Sequence, residues 1–325
     1  ANRVVARGAV DCLVRERIDH RRLAVALREA VQRRRQDLAL MRTGAQAGIS
    51  SKFGPVTIRG NRFVRELASG GTSLVYLAES ERAGDMVVLK VLRDTPEAGD
   101  PHTQFARFLQ EYELISKIRH PNVVRIYDLG IADDHAYIAM EYFPLGDLRG
   151  HIASVLRPSE ALSFLGQMAG ALQVVHAVGV LHRDLKPGNI MMRADSSIAL
   201  IDFGLAKHAD MHTEMTGAGE IFGTPYYMSP EQGHGHQLDE RSDLYSLGVI
   251  FYEMLAAKKP FVASTPMGVL YMHGNAPIPV LEGELARYQP VLNRLLAKDP
   301  ADRFGSAGEL LEGVRHLQQA MPGVR

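Results

Sequence analysis

The stretch VLHRDLKPGNIMM, residues 180–192, sets His182, Arg183, Asp184, Lys186 and Asn189 in one short loop flanked by apolar runs. Part of this is ordinary turn chemistry, which Pro187-Gly188 provides. More is implied downstream, where Asp202 opens the tripeptide DFG directly after the apolar run SIALI. Asn189 and Asp202 carry hard oxygen donors, and Asp184 is a potential base. Such a set is what a magnesium-phosphate site needs, because magnesium takes oxygen ligands and shares its shell with substrate phosphates. Other polar groups read more plainly. Lys90 ends the apolar run VVLK, where a lysine is ordinarily a snorkelling surface residue. His234 and His236 in GHGHQ have no third ligand nearby in sequence and read as solvent-exposed rather than metal-binding.

The elements that must position these residues fall into two kinds. Between Val56 and Leu92 the runs VTI, RFVREL, LVYLAE and MVVLKVL alternate and are separated by Gly, Asn and Asp, which predicts an antiparallel sheet of hairpins. A helix from about His102 to Ile118 interrupts it, and the strands VVRIYDLGI and AYIAMEY follow. After Gly146 long helical segments take over, with PSEALSFLGQMAGALQVVHAVG and RSDLYSLGVIFYEMLAA the clearest. A strand-rich half before a helix-rich half predicts an α+β chain of two lobes with a cleft between them.

At 325 residues the chain has room for two lobes, and its net charge of zero argues against a nucleic-acid or membrane-surface binder. The charge is uneven: residues 1–50 hold eleven arginines and five acids, an excess of six positive charges. One cysteine, Cys12, excludes an internal disulfide framework and suits a reducing, cytoplasmic compartment. No run approaches the ~18 apolar residues of a membrane span. Residues 21–41 place Leu23, Leu27, Val31 and Leu38 on one helical face opposite arginines, and 43–51 read as a small-residue linker.

From about Arg62 to Gln318 the order of these motifs resembles the eukaryotic-like, or Hanks-type, serine/threonine protein kinases, particularly the bacterial ones. The resemblance implies a bilobal protein kinase fold, with a small β-rich amino-terminal lobe over 56–143 and a larger helical lobe over 144–320, followed by a tail at 321–325. It implies ATP and magnesium, or manganese in its place, as cofactors, and protein serines and threonines as acceptors. ELASGGTSLVYLAE then matches the glycine-rich loop, Ala68, Ser69, Gly70, Gly71 and Ser73, with Ala68 and Ser73 standing where the family has glycine. Val75 and Val88 lie over the adenine, and Lys90 pairs with Glu111 and contacts the phosphates. Met140 stands behind the adenine, Glu141 and Phe143 offer it backbone groups, Asp147 reaches the ribose, and Met191 forms the floor. Asp184 is the implied base, Lys186 neutralises the transferring group, Asn189 and Asp202 hold the metal, and His182 packs.

The segment Leu205 to Ser229 resembles an activation loop, in which Thr216 and then Thr213 are the expected phosphorylation sites, read by Arg183. GTPYYMSPE matches the substrate-docking end. Thr224 positions Asp184 and Lys186, Glu231 pairs with Arg303, and Asp243 braces the catalytic loop. The competing reading is a pseudokinase or nucleotide-binding scaffold, for which Ala68 alone speaks.

Residues 6–36, within ARGAVDCLVRERIDHRRLAVALREA, resemble the end of a bacterial response-regulator receiver domain. No phosphoacceptor aspartate precedes them, and the family's lysine after the strand is Arg15 here. Residues 1–42 are therefore expected either to end a longer receiver-kinase polypeptide or to dock on a partner, with 43–55 as the linker.

Overall fold

A computed structural model of the chain describes residues 58, 60–69, 73–92, 112–132, 135–153, 156–203 and 225–319. They fall into two compact units. One is drawn from the chain up to Arg119 with Val124–Leu145 and Met192–Ser196; the other takes His120–Val123, Gly146–Met191 and the chain from Ser197 onward. The expected receiver-like segment, the linker, the tail, Gly70, Gly71, Glu111, Thr213, Thr216 and Thr224 lie outside the described residues.

In the first unit, period-two alternation becomes a five-stranded sheet. Its strands are β1 (Asn61–Ser69), β2 (Ser73–Ser80), β3 (Asp85–Leu92), β4 (Ile126–Ala132) and β5 (His135–Glu141), in the order β1-β2-β3-β5-β4, with every pair antiparallel. Leu74, Tyr76 and Ala78 of β2 and Val87, Leu89 and Val91 of β3 form one buried cluster, against which Phe63 sets its ring edge-on to Tyr76 at 5.1 Å. Burying each large apolar side chain contributes about 1.5–3 kcal/mol. The run VTI, expected as a strand, does not continue the sheet at its described residue. Ile58 is irregular and buried in the cluster, and its carbonyl accepts from Asn61 N at 3.1 Å where the chain turns into β1. Residues 112–117 are helical, the described part of the helix expected from about His102 to Ile118, and are labelled α1.

The second unit is mainly helical. α2 (Leu148–Ile152) and α3 (Pro158–His176) precede a two-stranded hairpin, β6 (Ile190–Met192) and β7 (Ile198–Leu200). α4 (Pro230–Gly233), α5 (Glu240–Ala256), α6 (Pro266–Asn275), α7 (Gln289–Leu295) and α8 (Ala307–Gln319) follow. Asp239 caps α5 by accepting from Arg241 N, and Ala257 ends it in the left-handed region. Residues 242–254 of α5 are buried on every side, so it is the central helix of this unit. Its close approach to α7 needs Gly248: a Cβ there would lie 2.7 Å from Leu295 Cβ.

Candidate active site

The first unit carries its candidate residues on one sheet face. Val75 pairs with Lys90, and Val88 with Met140. Opposed residues in an antiparallel ladder share a face, so these four line the face turned away from the cluster of Leu89 and Val91. Ala68 and Ser69 pair with Val75 and Leu74 beyond a register shift between Glu66 and Ala68. Among the described residues the non-glycine positions with positive φ are Arg183, Ser196, Asp202 and Ala257. Ala68 and Ser73 are therefore strand residues without the positive φ that would call for glycine. At the end of β5, Glu141 N donates to Arg125 O at 2.9 Å, while Arg193 grips the Glu141 carboxylate at 2.6 and 2.9 Å and lies 5.5 Å from the centre of the buried Phe143 ring.

In the second unit the loop after α3 is held from beneath. Asp243 of α5, fully buried, accepts from His182 N and Arg183 N at 2.8 Å each and pairs with His176 Nε2 at 2.8 Å. Burial alone would raise this carboxyl, but the hydrogen bonds it accepts from His176 and from the His182 backbone outweigh that and hold it below the usual carboxylate range. His182 sends Nε2 to Ile201 O at 2.9 Å with its ring 4.8 Å from that of Phe203, and burial pushes its pKa down. Facing a carbonyl, that nitrogen carries the proton, so His182 is a neutral packing group.

Above this floor the polar side chains meet. Lys186 Nζ lies 2.8 Å from Asp184 Oδ2, and Asn189 Nδ2 donates to Asp184 O at 2.7 Å and to Oδ2 at 3.1 Å. With its amide hydrogens turned to Asp184, Asn189 has its oxygen as the group to offer a cation. Ile201 N donates to Asn189 O at 3.0 Å, which draws the adjoining Asp202 alongside. Arg183 and Asp202 stand at φ 62° and 52°. Such a left-handed residue costs about 1–2 kcal/mol; at Arg183 the backbone is held on both sides, its N donating to Asp243 and its O accepting from Gln232. Asp147 caps α2, accepting from Arg149 N at 2.9 Å and from its guanidinium at 3.1 and 2.6 Å, and forms an isolated bridge with Met191.

The docking-end segment is tied to the same loop. Ser229 and Gln232 cap α4 reciprocally, and Gln232 Nε2 reaches Arg183 O at 2.9 Å. Glu231 and the fully buried Arg303 form a two-pronged ion pair at 2.7 and 2.9 Å, with Ser242 Oγ donating to Glu231 at 2.6 Å. Although desolvation opposes it, these bonds lower the Glu231 carboxyl to about 2. His176, Gln232 and Arg149 were not singled out in the sequence. The only signal for Gln232 was its place three residues after Ser229 before a helix, which is capping-box spacing. His234 and His236 stack at 5.5 Å on an exposed loop, and no group of three metal-ligating residues occurs among the described residues. No described helix is long and apolar enough to cross a membrane.

The sequence profile of the protein kinase domain matches residues 62–314. Serine/threonine-protein kinase PknB of Mycobacterium leprae is 36% identical over 266 residues, covering 79% of this chain and 42% of the relative. Serine/threonine-protein kinase pkn2 of Myxococcus xanthus is 38% identical over 275 residues, or 80% of this chain and 32% of the relative. The chain thus spans less than half the length of these curated relatives. Among solved structures, the kinase domain of PknI from Mycobacterium tuberculosis is 30% identical with a TM-score of 0.63, covering 84% of this chain and all of that one. The antiparallel sheet, the helical unit and the hydrogen-bonded DLKPGN loop share one explanation: the chain belongs to the protein kinase family, among the bacterial Hanks-type serine/threonine kinases.

Proposed function

We propose that the protein transfers the γ-phosphoryl group of ATP to serine or threonine hydroxyls of protein substrates. The observation that carries this reading is the convergence of Asp184, Lys186 and Asn189 in one loop, with Asp202 drawn alongside by the Ile201–Asn189 hydrogen bond. The acceptor oxygen attacks the γ-phosphorus, the bond from that phosphorus to the β,γ-bridging oxygen breaks, and the hydroxyl proton passes to Asp184. Lys186 offers its cation to the charge developing on the transferred oxygens. The two hard oxygens of Asn189 and Asp202 fit a divalent cation, magnesium or manganese, which when bound with the nucleotide neutralises phosphate charge.

In the same reading Lys90, paired with Glu111, contacts the α- and β-phosphates, and the segment from Ala68 to Ser73 covers them. Val75, Val88 and Met191 enclose the adenine in front of Met140, while Glu141 and Phe143 meet its edge with backbone groups. Asp147 has accepted three N–H groups, all from Arg149. A carboxylate has about four lone-pair sites, which leaves it one for a ribose hydroxyl. Thr224 positions Asp184 and Lys186, and phosphorylation of Thr216 or Thr213 orders the activation loop through Arg183. Residues 56–320 form the kinase, acting in the cytoplasm, and residues 1–42 dock a partner protein or complete a receiver. The test is incubation of the chain with labelled ATP and magnesium beside Asp184→Asn. Incorporation only in the parent protein is expected, and equal incorporation in both would sink the reading.

A further inference from the structure

Three carboxylates of the second unit are each engaged by a cation from the same chain, and in each pair the cation is the more exposed partner. Asp147 is held by Arg149 at 2.6 Å, with side-chain exposures of 22% and 72%. Asp184 is held by Lys186 at 2.8 Å, at 21% and 42%. Glu253, whose Oε2 also accepts from Tyr227 OH at 2.6 Å, is held by Lys259 at 3.2 Å, at 11% and 30%. The negative charges face inward and the positive ones face water.

These pairs frame the segments that an acceptor peptide would meet. The Arg149 guanidinium lies over the DLKPGN loop, so close that a Cβ on Gly188 would be 3.3 Å from its Cζ and Nε. It is also near enough to act electrostatically on Tyr227 of the GTPYYMSPE segment. Lys259 stands 4.9 Å from the ring centre of Tyr226 in that segment. Among the described residues, a peptide approaching Asp184 therefore meets three acids already paired, whose partners are the more exposed cations. A basic side chain finds a cation already beside each of these three carboxylates, whereas an acidic one finds the guanidinium fork, which suits a carboxylate in two-pronged geometry.

We propose that Arg149, supported by Lys259, is a specificity-determining residue that selects acceptors flanked by acidic side chains. The inference rests on the protein-kinase reading and names the substrate class of that site. Two sets of peptides, identical in their central serine or threonine and differing only in aspartate or lysine flanks, are offered to the full chain with ATP and magnesium. An exposed ion pair at this rim corresponds to about a fivefold preference in kcat/KM for the acidic set. That preference should shrink when salt is raised well above physiological strength. Arg149→Glu is expected to abolish or invert it, and the charge-conserving Arg149→Lys to retain it, the readout being the ratio of the two peptide sets at saturating ATP.

Equal use of both sets by the parent chain overturns the proposal. So does an Arg149→Glu variant that changes the ATP KM and leaves the peptide ratio intact, because Arg149 would then serve only to position Asp147. A chain that phosphorylates itself and takes neither set also counts against it. Failure of the kinase reading has a different signature, labelling that is the same in the parent and in Asp184→Asn.

Discussion

Replacing Glu231 by glutamine removes one charge from the buried pair with Arg303 and leaves the guanidinium facing a neutral amide. The cost can be worked from the carboxyl itself. Its proton affinity is lowered from the ordinary 4.5 to about 2. At about 1.4 kcal/mol for each tenfold change, this corresponds to roughly 3 kcal/mol of folded-state stability at neutral pH. Stranding a buried charge by removing its partner costs about 3–5 kcal/mol, in agreement. The sign with pH follows from the depressed value. The contribution is complete above the unfolded carboxyl's pKa near 4.5, declines as pH falls, and is gone once pH passes about 2. Urea unfolding at pH 7 should therefore show E231Q destabilised by about 3 kcal/mol. The gap between the two proteins should close as pH is lowered from 5 towards the acid limit. An E231Q protein within about 0.5 kcal/mol of the parent at pH 7, or a gap that does not vary below pH 5, would refute the reasoning.

Asp243→Asn presents an amide where one carboxylate accepts from His182 N, Arg183 N and His176. We expect about 1–3 kcal/mol of lost stability by denaturant titration, and a kcat lower by about a hundredfold with the ATP KM nearly unchanged. Asn189→Ala removes the amide oxygen assigned to the cation, so the magnesium concentration for half-maximal phosphorylation should rise by about tenfold or more in a metal titration. Gln232→Ala breaks the tie from α4 to Arg183 O and should cost about 1 kcal/mol by thermal unfolding. Mass spectrometry of the protein after incubation with ATP should find phosphate on Thr216 or Thr213. Phosphate confined to other sites would remove both from the activation-loop assignment.

The sheet was legible because burial and period coincide in it. In β3 the buried Val87, Leu89 and Val91 alternate with the half-exposed Val88 and Lys90, so the run itself said which face Lys90 shares. Of the run VTI only Ile58 is described; it lies outside the strands and fills the core, a place that an apolar residue takes as readily from a loop as from a strand. Among the candidate residues, Asp184, Lys186 and Asn189 were legible together because five positions of loop hold them within hydrogen-bond reach. The substitution at Ala68 weighed more in sequence than in structure, since strand pairing with Val75 keeps it in ordinary extended backbone.

What the amino-acid sequence determined alone is what arises from short spacing and side-chain chemistry: hard oxygens beside a base, alternating strands, amphipathic helices and the motif order of a kinase. Tertiary structure decided which distant groups hold them. Asp243 grips backbone hydrogens some sixty residues earlier, Gln232 reaches Arg183 O, and Arg149 folds over Gly188. Backbone amides carry no sequence signature, and the partners of a buried carboxylate are chosen by how helices pack around it. Desolvation then makes each such bond obligatory once the core has closed.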